Sequence, residues 1–168
     1  FEHMLKDIYY AENALTKAIP KMAQKAQAPA LRQALETHLA ETESQVRMLE
    51  QVFQSLGIRP ASEKCDAIEG IIKEAEHVMK EADQPALDAM IVAGSQAVEH
   101  YEITRYGTLV EWAREMGHRE AQRILEQILQ QEKAADQKLT MIAESQVNER
   151  AQGGEGSMQM AAQGGEMG

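Results

Sequence analysis

Acidic side chains interrupt the apolar stripes of this 168-residue chain at positions where a helix would face its neighbours. Glu12 stands amid Leu5, Ile8, Leu15 and Ile19, which recur at steps of three and four. Glu99 lies between Gln96 and Ile103 on a second stripe, and Glu132 and Asp136 follow Leu125 and Leu129 on a third. A fourth runs from Leu31 and Leu35 through His38, Thr42 and Gln45 to Leu49, with Glu41 one position off it. Burying an ionised carboxylate without a partner costs several kcal/mol. Acids on four core faces therefore require compensation, and divalent cations supply it naturally. A ligand set made mostly of oxygen suits manganese or iron better than zinc or copper.

The elements that position these acids are helices. The stripes keep helical periodicity over long stretches, and the composition is 43% hydrophobic but only 4% aromatic, which favours helix over sheet. Four long helices and one short one are expected. Pro29 opens the second, Gly57 and Pro60 stop it, the Asp83–Pro85 group separates the short third segment from the fourth, and Gly117 ends the fourth. Tight turns near Gln27 and Gly117 make two antiparallel hairpins, and the stretch from Gly57 to Pro85 reads as a crossover carrying its own short helix. Hairpin arithmetic then levels the acids. Glu12 lies about 15 residues before the first turn, opposite the Glu41–Gln45 region, while Glu102 lies 15 before Gly117 and so faces Glu132. Glu99 comes level with Ala135, beside Asp136. The predicted domain covers residues 1–150, followed by a Gly/Gln/Met-rich tail over 151–168 whose composition cannot offset its ordering entropy.

Each residue also has a plainer reading. A single core glutamate is commonly a hydrogen-bonded polar plug, and Glu102, lying beside its stripe, fits either a solvated surface or the acidic layer. His38 is either a buried neutral ring bonded to Glu41 or a metal ligand. Tyr106 and Tyr9 read as core tyrosines or as donors to a ligand carboxylate. His100 points off its stripe, and His3 and His118 sit at helix ends. Glu74 with His77, and Glu115 with His118, match a Glu-x-x-His pattern but fall on a polar face and across a turn, away from the bundle centre. Cys65 is the sole cysteine, which excludes an internal disulfide, and reads as a small packing residue.

The chain resembles the bacterial YciE/YciF stress-protein family, within the ferritin-like superfamily. The segments carrying the resemblance are Asp7–Glu12 (DIYYAE), His38–Gln45 (HLAETESQ), Lys64–Gly70 (KCDAIEG), Val98–Ile103 (VEHYEI), Tyr106–Leu109 (YGTL) and Glu132–Thr140 (EKAADQKLT). It implies an all-α, ferritin-like four-helix bundle with a long crossover and a dinuclear carboxylate site. Carried over, Glu12 and Glu99 are single ligands, and Glu41 and Glu132 are the bridging pair. Gln45 and Asp136 stand near where the superfamily places histidine, at i+4 instead of i+3. The expected cofactor is two divalent ions, manganese or iron.

The expectation for function is a stress protein that reacts with peroxide or dioxygen in a catalase- or peroxidase-like way, with Glu99 or Glu102 moving protons. The alternative is a metal-free helical stress protein that acts by dimerising or binding a partner. A net charge of −10 disfavours nucleic acid, and no apolar run approaches the ~18 residues that span a bilayer. The opening residues carry no signal-peptide pattern, and the lone cysteine fits a reducing compartment, so the cytoplasm is expected; a homodimer is the expected assembly.

Overall fold

The computed structural model describes residues 1–152; the glycine-rich stretch from residue 153 onward, with Met158, Met160 and Met167, lies outside the described residues. Five α-helices follow in order: α1 (Glu2–Lys25), α2 (Pro29–Ser55), α3 (Asp66–Glu81), α4 (Gln84–Glu115) and α5 (Arg119–Ile142). A π-helical turn over Ala143–Val147 extends α5, and the chain stays helical through Gln152. α1 packs on α2 and α5 on α4, α2 faces α5, and α1 faces α4, which closes a four-helix square. α3 rides outside it against α1 and α4. This is the expected ferritin-like arrangement.

Local chemistry fixes the turns. Gly57 and Gly117 hold left-handed backbone, φ 71° and 74°, at the ends of α2 and α4. The amides of Gly117 and His118 return to the Arg114 and Ala113 carbonyls, closing the last turn of α4. The α1–α2 turn has no glycine. Pro29 starts α2 with its ring in place of an unneeded donor, and the amides of Gln27 and Ala28 each donate to the Asp88 carboxylate at 2.8 Å. That contact, from the first turns of α4, puts the start of α4 at the same end of the bundle as the α1–α2 turn. α2 and α4 therefore run in the same direction, and the crossover must travel the full length of the bundle. α3 spends that length in helix, capped by the Cys65 thiol, which accepts from the Ile68 amide at 3.4 Å. Gly94 on α4 lets α3 approach: a Cβ there would meet the Ala75 Cβ at 3.0 Å.

The core is aliphatic, with Leu5, Ile8, Leu15, Leu31, Leu49, Ile91, Leu109, Leu125 and Ile128 buried. Apart from Asp88 at the α1–α2 turn, its charged exceptions gather at mid-bundle.

Candidate metal centre

Each long helix brings a polar side chain to the middle of the core: Glu12 from α1, His38 and Gln45 from α2, Glu99 and Glu102 from α4, and Glu132 from α5. Glu12 and Glu132 are 0% exposed, Glu99 and Glu102 1%, and His38 8%. No lysine or arginine among the described residues is buried to balance them. One ligand atom from each of His38, Glu99, Glu102 and Glu132 lies within 4.8 Å of the others. Ligands on opposite sides of a single ion, with bonds of about 2.0–2.6 Å, stand about 4–5 Å apart. The spacing therefore fits a cation held between these four groups.

The hydrogen bonds point the same way. Tyr106 donates to Glu12 Oε1, and Gln45 Nε2 donates to Glu132 Oε1. His38 Nε2 lies 3.1 Å from Glu99 Oε1 without the alignment of a hydrogen bond. The remaining atoms have no partner: Glu12 Oε2, both His38 nitrogens, Gln45 Oε1, Glu99 Oε2, both Glu102 oxygens and Glu132 Oε2. Buried polar atoms in folded proteins are nearly always paired, and this many orphans in one region form a donor set that a shared partner would satisfy. A cation satisfies acceptors and a neutral imidazole together, and the residues present fit one.

Without that cation the acids hold protons instead. Burial first, then the charge of Glu132, raises the Glu12 carboxyl well above its ordinary value. Burial and the same neighbour push Glu99 up to about 11. Glu102 is raised by burial and by Glu12, and Glu132 by burial, against the opposing pull of His38. The Tyr106 phenol is raised by burial and by Glu12, so it stays a donor.

The residues read from the sequence divide here. Glu12, His38, Gln45, Glu99, Glu102 and Glu132 come together. Glu41 does not join them: its side chain is 39% exposed, and its nearest approach is 3.7 Å to His38 Nδ1. The reason is register. The buried stripe of α2 passes through His38, Thr42 and Gln45, leaving Glu41 at its margin. Asp136 also stands aside, one turn beyond Glu132 toward solvent, where it accepts from Gln96 Nε2 at 3.0 Å and lies 3.4 Å from the exposed His100. The expected resemblance placed the second helix's ligand at Glu41 with Gln45 in the histidine position; the helix instead turns His38 inward. Tyr9 bonds Glu50 at 3.0 Å, away from the acids. His3 pairs with Glu63 and His77 with Glu81 at the surface. Sequence reasoning passed over Tyr101, which donates to Asp7 Oδ2 at 2.8 Å and stands 2.9 Å from the Cys65 thiol, tying α4 to α1 and to the start of α3.

Residues 1–152 match the family described as "Domain of unknown function (DUF892)". The chain belongs to the DUF892 family. Protein YciF of Escherichia coli (strain K12) is 41% identical over 154 residues, which are 90% of this chain and 93% of that protein. The crystal structure of the E. coli stress protein YciF superposes with a TM-score of 0.82, covering 87% of this chain and 93% of that one. YcfI of Rhodopseudomonas palustris is 53% identical with a TM-score of 0.81, over 82% and 88% of the two chains. A protein of Xanthomonas campestris pv. campestris is 26% identical with a TM-score of 0.71, over 90% and 94%. The resemblance read from the six sequence segments is thus correct, and it extends over nearly the whole described length of this DUF892 chain. No helix among the described residues is long and apolar enough to cross a membrane.

Proposed function

We propose that the protein is a stress-response metalloprotein that holds two divalent cations, manganese or iron, among the mid-bundle carboxylates and turns over peroxide or dioxygen. The observation carrying this reading is the convergence of unpartnered polar atoms of His38, Glu99, Glu102 and Glu132 in a core where no lysine or arginine is buried among the described residues. Bound manganese or iron would supply the electron transfer that carboxylates and imidazole cannot. The protein's own groups do the rest. Gln45 fixes the Glu132 carboxylate and Tyr106 fixes that of Glu12, each by a donor to one oxygen, so the second oxygen stays aimed inward. Glu99 and Glu102 stand in the same cluster, and either carboxylate, when released from the cation, would take up and return a proton. The aliphatic shell above and below excludes bulk water. The E. coli relative named as a stress protein supports the physiological setting.

A test is elemental analysis of protein purified without chelator, followed by peroxide turnover. Near-stoichiometric manganese plus iron with measurable turnover is expected; trace metal that reconstitution does not raise overturns the reading. One observation favours a second reading: Glu12 and Glu132 already accept from Tyr106 and Gln45, and burial favours the protonated form of all four glutamates. A metal-free core that supports a dimer or a partner interaction would then be the function, and chelator would change neither stability nor assembly.

A further inference from the structure

A cavity of about 110 Å³ opens in the seam between α2 and α5 and ends on the acid cluster. Its inner end is formed by His38 and Glu99, with both imidazole nitrogens and Glu99 Oε2 lacking a hydrogen-bond partner. The two side chains are nine-tenths or more buried, yet they line this space. Ala34 from α2 and Ala135 from α5 form its walls, and Glu41 and Lys138 stand at its rim. Antiparallel helices at their ordinary separation of about 8–10 Å interlock through side chains; alanine at facing positions leaves the seam open where leucine would close it. A water needs only ~10–15 Å³ of such space, so the cavity passes several waters or a peroxide but not a bulky organic group.

We propose that this seam is the route by which cations and small peroxides reach the carboxylates, and that Ala34 and Ala135 set its width. The substrate class that follows, resting on the metal-centre reading above, is hydrogen peroxide or dioxygen in preference to alkyl hydroperoxides with large substituents. Glu41 then acts at the mouth, where its exposed carboxylate draws cations inward against the opposing charge of Lys138.

The experiment compares Ala34→Leu and Ala135→Leu with the wild-type chain and with Ala97→Leu, which adds the same bulk to a groove between α3 and α4 remote from the seam. Metal-free proteins are mixed with Co(II), and the appearance of the ligand-field band is followed. The seam variants are expected to load about tenfold or more slowly, with wild-type stoichiometry at the plateau, unchanged helical content and unchanged melting without metal. Ala97→Leu is expected to load at the wild-type rate. Equal rates in all four proteins, or equal slowing in all three variants, overturn the proposal. A second readout needs no metal: deuterium exchange at the His38 ring Cε1 in the metal-free proteins, expected to slow in the two seam variants alone. If wild-type protein takes up no cobalt but ring exchange still depends on Ala34 and Ala135, the metal-centre reading falls and the route stands; if cobalt loads and neither readout responds, the reverse holds.

Discussion

Removing the Tyr106 hydroxyl leaves Glu12 Oε1 without its donor at a position that water does not reach. Tyr106→Phe should destabilise the metal-free protein by about 1–3 kcal/mol, the cost of an unsatisfied buried acceptor, as read by urea unfolding in the presence of chelator. The acids themselves give a pH dependence opposite to that of a salt-bridged carboxylate. Their folded-state proton affinities lie above the ordinary value of 4.5, with Glu99 at about 11. The folded state therefore binds more protons than the unfolded one across that window. The contribution is fully present below pH 4.5 and is lost as pH rises through the folded values. Chelated protein should show a urea midpoint that falls as pH rises above 4.5 toward the Glu99 value of about 11. Cation binding displaces those protons, so affinity for Mn(II) should rise over the same range, and calorimetry in two buffers of different ionisation enthalpy reads the proton release. A flat midpoint would show that the acids are ionised in the chelated core.

α4 begins where α1 turns into α2, and one carboxylate ties the three together. Asp88→Ala removes two hydrogen bonds that cap the start of α2 and should cost about 1–3 kcal/mol; thermal melting checks it, and a change within error would mean that water caps the turn equally well. Nothing in the periodicity pointed to Asp88, because its partners are backbone amides some 60 residues away. The helices themselves were legible, since α1, α2 and α5 each bury one regular stripe. Glu12 and Glu132 stood out as acids on the stripes of α1 and α5, and Glu99 on the Gln96–Ile103 run of α4. Glu102 was harder to place from its own helix because α4 packs against α1, α3 and α5 and buries a wider sector than one stripe; distance from the Gly117 turn located it better. Glu41 stands at the margin for the opposite reason. The i±3 spacing to His38 puts the two residues near each other, but α2 buries too narrow a sector to turn both inward.

For the molecule as a whole, the proposed metal centre implies that the four buried glutamates of the cluster trade stability for binding. Glu12→Leu combined with Glu132→Leu should raise the urea midpoint of chelated protein, because apolar side chains of similar size replace groups that are costly to bury. The same variant should lose the stabilisation expected from Mn(II) in the wild type, about 2.7 kcal/mol at a hundredfold excess over Kd, read as the loss of a metal-dependent rise in melting temperature. A double variant that melts lower than chelated wild type, or that keeps the manganese shift, would show that the acids serve packing alone. The four groups closest to one another come from α2, α4 and α5, so they meet only after the two hairpins have docked and the α3 strap has spanned the bundle. A cation that bridges them has nothing to hold in a half-assembled chain. It should leave the refolding rate almost untouched and lengthen the lifetime of the finished fold, so a cell that admits manganese or iron after synthesis would be locking a protein already built.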